Sequence, residues 1–279
     1  MPLQKLQFRP GVVRDVTAYT NEGGWYDSNL VRFRLGFPES IGGWTKYSNN
    51  TFLGSARSLL SWVTLDGSNL LAMGTNLKYY IEEGGQFFDI TPIRKTVTLS
   101  GAFTATNGLS TITVTDVGHG CVNGDFVTFS GATSLGGNVT ATVLNQEYQI
   151  TYINENSYRI TVAVTANGSD SGHGGSSIVA AYQINTGLDT QVGGTGWGAG
   201  TWGRGTWGSA TTVSIGNSLR QWTQDNYGED LIFNIRNGGV YYWYGAGGNA
   251  TRAVSLASLS TDPTTPDIAT QVIVSDRDR

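Results

Sequence analysis

The sequence predicts an all-β protein: a propeller-like array of β-hairpin blades with an inserted small β-domain and an N-terminal arm. Three observations lead to this fold class. The chain has 39 glycines and 11% aromatic residues, whereas only 14% of its residues are charged. Such a composition is typical of many short strands and argues against disorder. No long run has the apolar spacing of an amphipathic helix, and one hairpin unit occurs twice.

The hairpin unit has the same order of tryptophan, turns and paired aromatic residues in both copies. The first copy comprises Leu59-x-x-Trp62, a turn at 66–68, Leu70-Leu71, a turn at 74–76 and Tyr79-Tyr80. The second comprises Leu219-x-x-Trp222, a turn at 226–229, Leu231-Ile232, a turn at 237–239 and Tyr242-Trp243. Repeats of this kind predict propellers or stacked arrays, in which no unit buries its own apolar face. Two unrelated hairpins with similar aromatic strands are the alternative.

Residues 1–50 predict an N-terminal arm with a strand at 30–35. Strand alternation places Val31, Phe33 and Leu35 on one face and two arginines on the other. These arginines could meet phosphates or the carboxylates of a neighbouring subunit. The favoured interpretation is a solvated face on which they pair with nearby acidic residues. The interface or DNA-channel candidates of this region are Arg9, Arg14, Arg32 and Arg34, and their local acidic neighbours are Asp27 and Glu39.

The charge of the chain is unevenly distributed. Residues 1–60 contain seven basic and four acidic side chains and so carry +3, whereas the whole chain carries −4 and the remainder therefore −7. Such asymmetry can indicate an acidic partner for the N-terminal region, but seven basic residues are too few to establish nucleic-acid binding. Intramolecular pairing is the favoured interpretation.

Residues 51–93 predict the first blade, and residues 94–185 then change in character. This second stretch is rich in Thr, Ser, Asn, Val and Gly, lacks tryptophan, and alternates as a meander of short strands does. We expect an independent β-module inserted at a loop tip, where an insertion with close ends has a small entropic cost. Alternation is clearest at 111–115, 126–129, 148–151 and 158–162.

Residues 186–279 predict a Trp/Gly loop, the second blade and the start of an incomplete third blade. The tryptophans Trp197, Trp202 and Trp207 recur every five residues, a period that fits neither strand nor helix. They are candidates for aromatic contact: anchors for a glycine-rich loop, a stacking platform for sugars or bases, or a subunit contact. A strand at 271–274 lacks a partner, and we expect residues beyond this sequence or a neighbouring subunit to complete its blade.

Residues that support catalysis are scarce in this sequence. The two histidines, His119 and His173, lie in glycine-rich loops, and the single cysteine excludes a disulfide framework or a cysteine-based zinc site. An acidic cluster at 225–230 has the residue types of a glycosidase pair, but its place in a hairpin turn favours turn chemistry. We expect a protein that is not an enzyme, with no catalytic, cofactor-binding or metal site. No apolar run is long enough to predict a membrane span.

The N-terminal pattern resembles a family of virion proteins. Its residues are Gly11-x-x-x-Asp15, Gly24-Trp25, Val31-Arg32-Phe33-Arg34-x-Gly36-x-Pro38-Glu39 and Ile41-Gly42-Gly43-Trp44, followed by the hairpin unit. This order resembles the tail nozzle proteins of short-tailed bacteriophages, also called packaged-DNA stabilisation or tail tubular proteins. The resemblance covers about residues 8–92 and 186–279. The inserted stretch resembles small β-domains of phage structural proteins, chiefly at 114–127.

The resemblance implies a structural function in the phage tail. It implies a hexameric ring around the DNA exit channel, with an arm that reaches an adaptor ring above. The other partner would be genomic DNA without sequence specificity, and the protein would reside in the virion after synthesis in the bacterial host cytoplasm. Two alternatives stay open. A receptor- or glycan-binding tail tip protein would stack sugars on the tryptophans and on residues 241–244, and a tailspike-like glycosidase would use Asp225 or Glu229.

Overall fold

The computed structural model describes residues 8–17, 19–187, 219–262 and 264–275. The prediction of an all-β protein is confirmed. The strands form several antiparallel sheets, and the only α-helix among the described residues has four residues. The chain divides into two units, Met1–Asn49 and Asn50–Arg279. We call the described residues 8–49 the N-terminal unit and the described residues from 50 onward the body.

The N-terminal unit contains one hairpin, formed by β1 (Val31–Arg34) and β2 (Phe37–Ser40). Arg32 lies opposite Glu39, and Arg34 lies opposite Phe37. Because opposed residues of an antiparallel pair project to the same face, these four side chains share one face of the hairpin. The strand predicted at 30–35 is therefore present over its central four residues.

The first blade is an antiparallel meander of four strands whose inner face is apolar. Leu70 and Ala72 of β4 are buried, and β5 begins with the buried Tyr79. The sheet follows chain order. Its strands are β3 (Ala56–Val63), β4 (Asn69–Thr75), β5 (Tyr79–Glu83) and β6 (Gln86–Asp89).

The inserted module follows directly and packs two sheets around one apolar core. It enters on β7 and leaves on β15, which are adjacent antiparallel strands, so its two ends lie side by side. The first sheet has the strand order β11-β10-β15-β7 and the second β12-β13-β9-β8-β14. The elements are β7 (Ile93–Leu99), β8 (Phe103–Ala105), β9 (Thr111–Thr115), β10 (Phe126–Ser130), α1 (Ala141–Leu144), β11 (Glu147–Gln149), β12 (Thr151–Asn154), β13 (Ser157–Thr161), β14 (Asp170–His173) and β15 (Ile178–Gln183).

The glycine- and histidine-containing motif of the module is a network that fixes turns. The side chain of His119 is fully buried; its Nδ1 accepts a hydrogen bond from the backbone N–H of Cys121, and its Nε2 lies 2.8 Å from the carbonyl oxygen of Asn154. The hydroxyl of Tyr182 donates to Asp116 at 2.6 Å. Buried polar groups need such partners because an unmet hydrogen bond is costly in the interior.

The second blade is another antiparallel meander. It follows chain order from β16 to β19, and β20 also pairs with β18. Its strands are β16 (Trp222–Tyr227), β17 (Asp230–Ile235), β18 (Gly238–Trp243), β19 (Val254–Ser255) and β20 (Ile268–Ala269), with short 3₁₀ helices at Gly245–Gly247 and Leu256–Ser258. The strand predicted at 271–274 is not a regular strand. The backbone N–H groups of Val272 and Val274 bond to side chains of Thr223 and Asp225 instead. A third blade stays a prediction.

The two blades share one aromatic core. The rings of Tyr79 and Phe233 are stacked, with centroids 4.0 Å apart and an interplanar angle of 12°. The ring of Trp222 packs edge-on against Tyr79 at 4.9 Å, and its Nε1 donates to the carbonyl oxygen of Thr75. Gly74 is required at this contact, since a Cβ there would lie 2.5 Å from the Trp222 ring. This shared core holds the two blades together, as expected for repeats that do not bury their own apolar faces.

The tryptophans of the repeated unit do not occupy equivalent positions. Trp62 lies opposite Leu70, next to the first turn of its blade. Trp222 lies opposite Ile235, at the far end from the corresponding turn. The two copies therefore have similar strand chemistry and topology. Aligning them on their tryptophans, however, matches residues from opposite ends of the two strands.

A buried ion cluster joins the inserted module to both blades. The ammonium of Lys78, only 2% exposed, lies 2.7 Å from Asp89 of the first blade and also contacts Glu147 of the module. Arg252 of the second blade contacts the same two carboxylates at 3.3 and 3.4 Å. Two cations and two anions thus balance one another. Burial by itself would raise the pKa of Asp89, but Lys78 and Arg252 lower it below its ordinary value.

Candidate functional site

The N-terminal unit differs from the body because none of its described residues is buried. Its local order rests on three tilted aromatic rings, with centroids of Phe8 and Trp25 5.8 Å apart and of Trp25 and Phe33 6.2 Å apart. Backbone hydrogen bonds add to this, including Val13 N–H to the Trp25 carbonyl at 2.9 Å. All three aromatic side chains keep part of their surface in solvent. The unit therefore has order without a closed core.

The tip of the β1–β2 hairpin is a two-residue turn with an unusual residue. Leu35 has φ 51° and Gly36 has φ 85°. Positive φ at both central positions defines a type I′ turn, which normally contains Asn-Gly or Asp-Gly. A leucine in this left-handed region is strained because its Cβ crowds the backbone. The Leu35 side chain is also 91% exposed, so contacts within the chain do not compensate for the strain.

Other large apolar side chains of this unit are exposed as well. Phe37 (72% exposed) follows the turn directly, whereas Leu30 (65%), which also has a positive φ of 55°, and Trp44 (93%) lie at or beyond the opposite end of the hairpin. Contiguous exposed apolar groups mark interaction surfaces in soluble proteins. We call the pair Leu35 and Phe37 the apolar tip.

The four arginines predicted for this region fall into two classes. Arg14 pairs with Asp27 at 2.6 Å, and Arg32 pairs with Glu39 at 3.2 Å. The pairing with a nearby acidic residue that the sequence predicts for Arg32 is thus present. Arg9 and Arg34 are exposed, and the part of the chain that the structure describes gives their guanidinium groups no hydrogen bond or ion pair. Arg34 projects beside Phe37, so an uncompensated cation adjoins the apolar tip.

The predicted aromatic platform lies elsewhere in the chain. Trp197, Trp202 and Trp207 are outside the described residues. Residues 241–244, the other proposed stacking surface, are mostly enclosed: Trp243 is fully buried, and burial raises the pKa of Tyr241 to about 12. Only Tyr244 of this group is exposed.

Groups that could support catalysis are engaged in structural contacts. Burial raises the pKa of the Cys121 thiol to about 12, so this side chain is not a thiolate at neutral pH. In the acidic cluster, Asp225 accepts from Val274, Glu229 from Leu65 and Asp230 from Gly245, each through a backbone N–H. These bonds reach backbone groups elsewhere in the chain, and Asp225 and Asp230 lie in strands, so tertiary contacts account for these carboxylates and the predicted turn chemistry does not. Among the described residues, no group of three or more His, Cys, Asp or Glu side chains could hold a metal ion.

The inserted module has a polar groove of about 860 Å³. Glycine-rich turns at 133–139 and 166–175 form most of its walls. His173 and Asp170, whose side chains contact each other, line one side, and Asn167 lines another. Most of its polar side chains bond within the module, as Asn167 does to the backbone of Asn138.

No helix of the described residues is long and apolar enough to cross a membrane.

Comparisons with known proteins leave the family of the chain open. No protein-family model matches the sequence, and no curated protein matches it either. Among solved structures, the chain is similar to an endosialidase of phage phi92, with 13% identity and a TM-score of 0.28. The match covers 67% of this chain and 27% of that one, so the present chain spans about a quarter of its length. A likeness this weak carries no argument about function.

Sequence reasoning identified the arginine-bearing strand but missed the apolar tip. Leu35 was assigned to the apolar face of a strand, whereas it forms the turn. The available signal was Leu35-Gly36 between two short alternating runs, since a two-residue hairpin loop places Gly second in a type I′ turn. The ion cluster around Lys78 was also missed, because its members come from distant parts of the sequence.

Proposed function

We propose that this protein is a structural component of a bacteriophage tail, of the nozzle or tubular type. In this proposal, several copies associate around the DNA exit channel and help to retain and deliver the genome. The observation that carries it is the N-terminal unit, which exposes large apolar side chains and has no buried residue of its own. A surface of this composition is stable in water when another protein surface covers it.

The body supplies what such an assembly part needs, namely a rigid element. Two blades share an aromatic core, and the ion cluster fixes the inserted module to them. Most of the chain is acidic, with −7 beyond residue 60. An acidic surface facing a channel would repel DNA phosphates and let the genome pass without adhesion.

The phage tail context comes from the sequence resemblance at 8–92 and 186–279. That resemblance supports six copies per ring, an adaptor ring above as a further partner, and residence in the virion. Arg9 and Arg34, which lack partners among the described residues, are the arginines best placed to contact another subunit or DNA.

Negative-stain electron microscopy of the purified full chain tests this proposal. We expect closed rings with a central channel and a single rotational symmetry. Rings that form only after a second tail protein is added would support docking to an adaptor. Single particles of one chain, at micromolar concentration and in the presence of other tail proteins, would contradict the proposal.

Glycan binding at a tail tip is a second candidate function, and the polar groove of the inserted module favours it. Neutral hydroxyl and amide groups, a carboxylate and an imidazole line this groove, and such groups bind sugar hydroxyls. We expect a glycan array to detect no ligand if the protein is only an assembly part. Binding that is lost in folded Asp170→Asn or Trp202→Ala variants would favour the second function.

A further inference from the structure

We infer that Leu35 is an apolar anchor that docks the N-terminal unit onto the body of a second copy of this chain. The inference rests on the proposed function, since it names the partner and the contact residue of the same surface. Three observations support it: the strained backbone of Leu35, the exposure of its side chain, and the distribution of charge between the two regions.

The strain at Leu35 has no local use. A type I′ turn is most stable with Asn or Gly at its first central position, where a positive φ is easily adopted. Leucine at φ 51° destabilises the hairpin instead. Strained residues persist where the surroundings or a function require them. Since Leu35 is 91% exposed, its side chain packs little against the described residues of its own unit, and we assign its use to a contact with another molecule.

The hairpin has little support within its own unit, where Phe33 contacts Trp25 and none of the described residues is buried. It has two strands of four residues each, and an isolated two-stranded hairpin is marginally stable in water. Phe37, at 72% exposure, extends the apolar tip beside Leu35. Insertion of this tip into another surface would bury these side chains and also order the hairpin.

Charge complementarity identifies the occupant as a second copy. Residues 1–49 contain six basic and four acidic side chains and carry +2, and the rest of the chain therefore carries −6. Arg34, adjacent to Leu35 and without a partner among the described residues, would bring an uncompensated cation to the acidic body. Contact between the N-terminal region of one copy and the body of the next is heterologous, and heterologous contacts generate rings when the rotation closes. This matches the ring of the proposed function.

The experiment compares the wild-type chain with Leu35→Asn, Leu35→Met and Leu65→Asn. Asparagine suits the turn but removes the apolar anchor, whereas methionine keeps the anchor. Leu65 is a leucine of the body with 96% exposure, and its replacement controls for a general loss of exposed apolar surface. Sedimentation velocity over a concentration series gives the dissociation constant of self-association, and hydrogen exchange of the 31–40 amides reports on the hairpin.

We expect Leu35→Asn to weaken self-association at least about tenfold, with unchanged or slower hydrogen exchange in the hairpin when both chains are dilute and monomeric. Leu35→Met and Leu65→Asn should stay within about threefold of wild type. Equal self-association of wild type and Leu35→Asn would overturn the inference and leave the proposed function intact. Faster hairpin exchange in monomeric Leu35→Asn than in monomeric wild type, or equal weakening by Leu65→Asn, would also overturn it. A wild-type chain that does not self-associate would contradict the proposed function itself.

Discussion

The N-terminal unit and the body use aromatic residues in opposite ways. In the body, Tyr79, Phe233 and Trp222 pack ring to ring inside a closed core. In the N-terminal unit, Trp44 and Phe37 lie on the surface. The same residue types thus stabilise the fold of one region and remain available for binding in the other. Composition by itself does not distinguish these uses; the presence of an enclosing second sheet does.

The two regions also differ in whether their charged side chains are buried or exposed. In the body, Lys78 is almost inaccessible, and it and Arg252 together balance two carboxylates. In the N-terminal unit, Arg32 and Glu39 form a pair that water reaches. Exposed pairs contribute about 0–1 kcal/mol, whereas breaking a buried pair leaves an uncompensated charge in the interior. Substitutions in both regions test whether buried contacts stabilise the body more than exposed contacts stabilise the N-terminal unit.

Aromatic truncation should give the largest difference between the regions. Phe233→Ala removes a fully buried ring that stacks on Tyr79, and we expect it to lower the free energy of unfolding by about 3–5 kcal/mol. Tyr47→Ala, at a residue that is 77% exposed, should change it by less than about 0.5 kcal/mol. Urea unfolding of both variants measures the two values. Similar values for the two substitutions would mean that the body has no shared core.

Removal of a cation should give the next largest difference. Lys78→Met leaves Asp89 and Glu147 with only Arg252, and we expect a loss of about 3 kcal/mol. Arg32→Met, the matched change in the N-terminal unit, should cost less than about 1 kcal/mol because the pair is exposed. Thermal unfolding with matched protein concentrations compares them. A neutral Lys78→Met variant would show that the cluster gives no net stabilisation.

The pH dependence of stability should give the smallest effect. The pKa of Asp89 is lowered in the folded protein by Lys78 and Arg252, which outweigh the effect of burial. Its contribution to stability is therefore complete above its unfolded pKa of about 4 and is lost as pH falls through the lower folded pKa. We expect the unfolding midpoint in urea to decline below pH 4, and to decline less steeply in Asp89→Asn. An equally steep decline in that variant would assign the effect to other carboxylates.

The sequence predicted the fold class better than it predicted the candidate site. Alternating runs such as Thr111–Thr115 became strands with the same bounds, because period-2 alternation directly reflects a half-buried strand. The hairpin units were found through their paired aromatics and turns, yet Trp62 and Trp222 lie at opposite ends of their strands. Sequence similarity reported the chemistry of the strand but not its register.

The remainder depended on contacts that sequence spacing cannot give. In the segment 271–274, where a strand was expected, backbone N–H groups bond to the side chains of Thr223 and Asp225. These side-chain bonds replace the backbone hydrogen bonds of a sheet. The apolar tip required the backbone angle of Leu35, since alternation alone placed this residue in a strand. The Lys78 cluster joins residues separated by as many as 174 positions, from Lys78 to Arg252, and no local pattern announces it.

The central claim is that assembly covers the N-terminal unit. Hydroxyl-radical footprinting of the full chain, first dilute and then at an assembling concentration, tests it most directly. We predict that oxidation of Leu35, Phe37 and Trp44 falls on assembly, while Phe233 and Trp243 stay unreactive in both conditions. Unchanged oxidation of the three exposed residues in a preparation that sediments as an oligomer would contradict the account, because the interface would then lie elsewhere.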